Sequence, residues 1–227
     1  MPGFDPVLFD LDGTVVDTVE LITESFRHAS RVVFGRALPD EQFMAYVGQP
    51  LMQQMRLLSP DHAQQLYDAY REYNHRRHDE LIRSYAGIAA ALQALRAAGR
   101  RLGLATSKSA DTTEMAFRAL GMREHFDVVV TASDTTAHKP SPEPLLLCLE
   151  RLAAQRPGEP IDPSAAIYIG DSPYDIQAGR AAGMATAAVT WGIFSRKDLE
   201  DARPDHVAQE PGDLVRLCVE GRAPASE

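Results

Sequence analysis

In the stretch LFDLDGTVVDT, residues 8–18, an apolar run ends in Asp10 and Asp12 and is followed at once by Gly13 and Thr14. Two carboxylates this close repel unless something cationic sits between them. Three later segments carry related residues: Thr106, Ser107 and Lys108 after RLGLA, Lys139 in HKPSPEP, and Gly170, Asp171, Ser172 and Asp175 in GDSPYDI. Acids, hydroxyls, lysines and glycines in this combination suit a metal-assisted reaction on a phosphate. Mg²⁺ takes oxygen ligands in near-octahedral geometry, which makes Asp10, Asp12, Asp171 and Asp175 candidate ligands. A carboxylate can attack phosphorus and form an aspartyl-phosphate, and Asp10, at a strand tip, is suited to in-line approach. Asp12 lies two residues on, hence on the same side of an extended chain, where it can protonate the leaving oxygen and then activate water. Gly13 lets the backbone turn sharply against a ligand. Thr14 and Thr106 can donate hydroxyl hydrogen bonds to phosphoryl oxygens, and Lys139 supplies fixed positive charge. A calcium-loop reading of D-x-D fails, because the required glycine would fall at Val15.

These residues meet only if the intervening elements bring the ends of several strands to one rim. From about residue 87 helical and strand patterns alternate. Helices are expected over 88–98, from Ser109 to Gly121, through PLLLCLERLA and over 173–182; strands are expected at 7–11 and in RLGLAT, FDVVVT, AAIYIG and ATAAVT. The strands are continuous apolar runs, as in a parallel sheet covered on both faces. The expected fold is α/β, a Rossmann-like doubly wound parallel sheet whose ligands sit beyond the carboxyl ends of the strands. Residues 18–82 show helical periodicity and no strand, so an all-helical insert is expected there, with 1–17 and 83–227 forming the core. The crossings near 15–18 and 79–87 would be hinges. The Pro-rich 155–164 stretch reads as a surface loop, and the tail after Gly221 is expected to fray.

The bulk numbers narrow the function classes. With 227 residues, 44% of them hydrophobic, the chain can bury one large core and a satellite. A net charge of −9, from 23 basic and 32 acidic residues, disfavours nucleic acid and anionic membranes as partners. No segment approaches the roughly 18 apolar residues of a membrane span, and the start lacks a signal pattern, so a cytoplasmic protein is expected. Cys148 and Cys218, each in an apolar helical pattern, read as buried thiols.

DLDGTVVDT, ATSK, the HKPSPEP lysine and GDSPYDI, in that order, resemble motifs one to four of the haloacid dehalogenase superfamily. The resemblance spans residues 6–207 and implies a Mg²⁺-dependent phosphohydrolase with a small four-helix cap. It makes Asp10 the nucleophile, Asp12 the acid/base, Thr106 a phosphate contact, Lys139 the orienting cation, Asp171 a metal ligand and Asp175 its support. Asp12 argues against a dehalogenase. Many relatives have Asn where this chain has Ser107, which favours a backbone contact there; Lys108 is a further candidate phosphate contact. The Gly48-Gln49-Pro50 loop is where relatives place substrate-selecting contacts. YREYNHRRHDELIRSYAGI most resembles the inorganic pyrophosphatase branch, with Arg71, Asn74, His75 and His78 on one helical face that could meet an anionic leaving group. Pyrophosphate is therefore the expected substrate. Phosphoglycolate or another small phosphomonoester remains the alternative. A phosphosugar mutase is disfavoured because no cap lysine is suitably placed, and a non-catalytic binding protein is disfavoured by the presence of Asp10, Asp12 and Lys139. The oligomeric state is left open.

Overall fold

The computed structural model describes residues 3–221. The chain opens with β1 (Val7–Phe9) and β2 (Val16–Asp17), then α1 (Val19–Phe34), α2 (Glu41–Met44), α3 (Leu51–Leu58) and α4 (Ala63–Leu81). After β3 (Arg83–Ser84) come α5 (Ile88–Ala97), β4 (Leu102–Ala105), α6 (Ala110–Leu120), β5 (Val128–Val130) and α7 (Glu143–Ala154). The chain continues through β6 (Ile167–Gly170), α8 (Pro173–Ala181), β7 (Ala185–Val189), α9 (Arg196–Asp201), β8 (His206–Ala208) and α10 (Pro211–Glu220). Six strands form a parallel sheet in the order β5-β4-β1-β6-β7-β8.

β1 sits centrally, with Val7 opposite Leu102 of β4 and Ile167 of β6. Alternation sends Val7 and Phe9 to one face, covered by Leu92 and Leu95 of α5 and by Leu214 and Leu217 of α10. Leu8 and Tyr168 face the other side, against Leu145, Cys148 and Leu149 of α7. Both faces are therefore dry, and each buried leucine contributes about 1.5–3 kcal/mol. The topology reverses at β1, which directs the loops after β1, β4 and β6 to a common rim. Cys148 and Cys218 are buried free thiols, as expected.

The helices α1–α4 enclose a hydrophobic cluster of their own, in which Phe26 stacks on Phe43 at 4.5 Å and meets Tyr70 edge-on at 5.0 Å. Where the chain enters and leaves this insert, β2 and β3 pair antiparallel, with Val16 opposite Ser84 and Asp17 opposite Arg83. Among the described residues no helix is long and apolar enough to cross a membrane.

Two sequence expectations need correction. The first strand stops at Phe9, two residues early, because the Leu11 carbonyl accepts the N–H groups of Thr14, Val15 and Val16 and so bends the chain into a turn. Helix α6 is framed as expected by Ser109 at its N-cap and Gly121 at its C-cap, with the Ser109 hydroxyl donating to the Asp111 carboxylate at 2.5 Å. A sixth strand, β8, joins the sheet beyond β7, and the small β2–β3 ribbon also lies outside the expected elements. The tail after Gly221 lies outside the described residues.

Candidate active site

Asp10 directly follows β1 and is buried, and its Oδ1 accepts from Lys139 Nζ at 2.8 Å. The same ammonium donates to Asp175 Oδ1 at 2.6 Å and to the Tyr168 hydroxyl at 3.0 Å, so all three of its N–H donors have acceptors. Tyr168 in turn donates to the Ala105 carbonyl at 2.7 Å, tying Lys139 to the end of β4. Asp175 is fixed independently. Its Oδ2 accepts from the Ser172 N–H at 3.0 Å and hydroxyl at 2.5 Å, the capping box that starts α8. Lys139 is thus immobile, and although burial opposes its charge, the carboxylates of Asp10 and Asp175 hold its pKa above the ordinary lysine value.

Asp171, at the end of β6, accepts the Ile193 N–H at 2.6 Å through Oδ2 and faces the Thr14 hydroxyl at 3.5 Å through Oδ1. Two glycines leave room for it. Gly13, at φ +77°, and Gly192 are packed so closely that a Cβ on either would collide with the Asp171 side chain. Trp191, beside Gly192, donates from its ring nitrogen to the Thr14 carbonyl at 3.1 Å, so the Trp-Gly pair braces the site. Carboxylate oxygens of Asp10, Asp171 and Asp175 all lie within 4.8 Å of one another. Burial pushes the Asp10 carboxyl up to about 7 against the pull of Lys139, and it pushes Asp171 well above the ordinary range. Three buried acids share one lysine. That deficit of positive charge is what a divalent cation corrects, and the all-oxygen donor set suits a hard one. Asp175, with both oxygens already holding protein donors, supports such a site, while Asp10 and Asp171 keep capacity for it.

The other expected residues fall into place around this cluster. Asp12 lies outside it, because its carboxylate is gripped by Lys108 Nζ at 2.9 and 3.2 Å. The backbone N–H of Lys108 donates to Thr106 Oγ1 at 3.2 Å, which holds the loop that carries it. The Ser107 hydroxyl is buried without a protein partner. Asp10, Asp12, Thr106, Ser107 and Lys108 line one wall of a cleft of about 280 Å³. The opposite wall comes from the insert: Gly48, Gln49, Arg71, Asn74 and His75.

The face of α4 is divided by the packing. Arg71, Asn74 and His75 reach the cleft, whereas His78 is fully buried, with Nδ1 at 2.7 Å from the Asp79 carboxylate, and does not line it. Asn74 donates to the Ser25 hydroxyl of α1 at 3.3 Å. Gln49 donates to the Tyr174 hydroxyl at 2.8 Å, and Tyr174 donates to the Ala45 carbonyl at 2.9 Å, so the Gly48-Gln49 loop is tied to the first turn of α8. Tyr168, Tyr174 and Ile193 escaped sequence reasoning. Only Tyr168 left a signal, as a hydroxyl inside a fully buried strand that must find a partner.

Sequence and fold place the chain with known proteins. Residues 7–189 match the family described as haloacid dehalogenase-like hydrolase. The chain is 36% identical over 211 residues to pyrophosphatase PpaX of Bacillus velezensis, covering 93% of this chain and 94% of that protein. The same identity and coverage relate it to pyrophosphatase PpaX of Bacillus cereus. Among solved structures, a predicted phosphatase from Clostridium acetobutylicum superposes with a TM-score of 0.78 at 26% identity, covering 94% of this chain and 97% of that one. A predicted phosphoglycolate phosphatase from Haemophilus somnus shares the fold, with a TM-score of 0.83 at 21% identity over 96% of this chain and 99% of its own. The chain belongs to the haloacid dehalogenase-like hydrolases. It is a hydrolase.

Proposed function

We propose that the chain is a Mg²⁺-dependent pyrophosphatase that works through a phosphoryl group carried on Asp10, with residues 18–82 acting as a cap over the core. The observation that carries this reading is the composition of the cleft's second wall. Facing the carboxylates across a space of about 280 Å³ stand a guanidinium, an amide and an imidazole, from Arg71, Asn74 and His75. A cleft this small, with these polar groups set among Ile22, Val47, Leu51 and Met52 on the same wall, suits a compact anion as leaving group. The likeness to the PpaX pyrophosphatases across nearly the whole chain points the same way.

Asp10 and Asp171 would hold the cation, which supplies positive charge to the phosphoryl oxygens. Asp10 Oδ attacks the near phosphorus of pyrophosphate, the bridging P–O bond breaks, and phosphate leaves toward Arg71 and His75. Thr106 and the Ser107 N–H hold the transferred group, and Lys139 fixes the nucleophile's orientation through its 2.8 Å bond. Asp12 delivers a proton to the leaving oxygen where one is needed, then accepts one from the water that attacks phosphorus and frees Asp10. The insert excludes bulk water from this cycle.

Phosphoglycolate also carries a second anion, so the two substrates must be compared directly. With Mg²⁺ at the same concentration, kcat/KM for pyrophosphate is expected to exceed that for phosphoglycolate. A preference of about tenfold or more for phosphoglycolate, about 1.4 kcal/mol in the transition state, would overturn the pyrophosphatase reading.

A further inference from the structure

Arg71 lines the cleft, and its guanidinium is anchored both by cleft-wall side chains and by one carboxylate outside the cleft. Nη2 donates to the Asp111 carboxylate, on the first turn of α6, and to His75 Nε2 at 3.0 Å; Nη1 donates to the Tyr67 hydroxyl at 3.2 Å. The Tyr67 ring lies 5.7 Å beneath the guanidinium carbon. This leaves Nε and one Nη1 hydrogen with no partner among the described residues. Asp111 is itself fixed, its Oδ1 accepting from the Ser109 hydroxyl at 2.5 Å, and it sits where a helix N-terminus favours negative charge. Although partial burial opposes ionisation, Ser109 and Arg71 hold its carboxyl down to about 2. Asp111 does not line the cleft, and its side chain is 51% exposed. The other cation on the cleft wall, Lys108, has both oxygens of Asp12 against its ammonium and is 91% buried, its side chain being 9% exposed.

We propose that Asp111 is a positioning residue, which aims Arg71 at the second anionic group of the substrate. It rests on the reading that the substrate carries such a group beyond the transferred phosphoryl. A free arginine samples many rotamers, and one tethered at three points offers its remaining N–H donors already oriented, so less ordering is required on binding. Because Asp111 belongs to the core and Arg71 to the insert, the same pair sets the height of the donor wall over Asp10. The ligand class is a phosphoric anhydride or a phosphate bearing a second anion. A lone phosphate has nothing at that position.

The test measures the binding of two probes to the Mg²⁺-loaded full chain by calorimetry: imidodiphosphate, which keeps the second phosphoryl and is not cleaved, and inorganic phosphate, which lacks it. In Asp111→Asn the Kd for imidodiphosphate is expected to rise about tenfold while that for phosphate changes less than about twofold. In an Arg71→Met background Asp111→Asn is expected to add less than about twofold, since it acts through Arg71. Tyr174→Phe loosens another tie between insert and core, and it is expected to leave the ratio of the two constants unchanged. Equal weakening of both probes by Asp111→Asn would overturn the proposal, as would an effect that persists without Arg71. If the wild-type enzyme prefers phosphoglycolate to pyrophosphate, the same cycle is run on KM for phosphoglycolate. Coupling there upholds Asp111 while rejecting the pyrophosphatase reading, and its absence rejects Asp111.

Discussion

Lys139 shows how one side chain is made rigid by its surroundings. Its three donors go to Asp10, Asp175 and Tyr168, and Tyr168 passes the connection on to the Ala105 carbonyl. Tyr168→Phe leaves one ammonium N–H and one carbonyl without partners in a dry site. The expected cost is about 1–3 kcal/mol in urea unfolding, together with a fall in kcat and little change in KM; an unchanged kcat would show that Lys139 keeps its aim without the hydroxyl. Gly192→Ala is expected to displace Asp171, because the new Cβ meets the Asp171 side chain and the Gly13 carbonyl. Mg²⁺ affinity by calorimetry should fall roughly 10–100-fold, the usual effect of disturbing what holds a metal ligand, with the circular dichroism spectrum retained. Asp10 and Asp171 were legible because residue type and strand-end position mark them, and Lys139 because it stands in the HKPSPEP segment ahead of a helix. Gly192 was not legible, since nothing local marks a glycine that must yield to a side chain 21 positions away in sequence.

The elements differ in how clearly the sequence announces them. The long insert helices and the buried strands declare themselves by period and by apolar runs, whereas β8 is three residues framed by Pro204 and Pro211, too short for any period. Strand β1 ended early because of a backbone turn around the Leu11 carbonyl, which residue types alone do not reveal. Contacts between elements were the least visible, as with Arg71 of α4 and Asp111 of α6, 40 residues apart. One of these contacts has a pH signature. His75 is kept neutral first by partial burial and then by Arg71, with Asp111 pulling the other way and His78 and Lys108 adding to the depression. With its folded pKa below the unfolded value of about 6.5, the unfolded chain binds the proton more readily, so this contribution to stability is present above that value and is lost as pH falls through the folded pKa. Wild type is therefore expected to lose more stability than His75→Gln between about pH 7.5 and about pH 5. Parallel pH profiles of Tm for the two proteins would show that the imidazole is not held neutral.

At the scale of the whole molecule, a doubly wound sheet brings Asp10, Thr106, Lys139 and Asp171 to one rim, and a helical insert sets Arg71, Asn74 and His75 opposite them. Chelation is expected to abolish turnover and Mg²⁺ to restore it, while Ca²⁺, which accepts a larger and looser shell, inhibits. Mg²⁺ at a hundred times its Kd should also stabilise the fold by about 2.7 kcal/mol, an effect absent in Asp171→Asn; equal stabilisation of both proteins would place the ion elsewhere. In the proposed reaction pyrophosphate transfers a phosphoryl group to Asp10. That transfer is tested most directly by mixing Asp12→Asn, which lacks the group that activates water, with ³²P-labelled pyrophosphate and Mg²⁺, quenching in acid and mapping the labelled peptide. Label is expected on the peptide that contains Asp10, and none on the double variant Asp10→Asn/Asp12→Asn. Release of labelled phosphate by Asp12→Asn with no label on the protein at any time, or label on a peptide without Asp10, would contradict it.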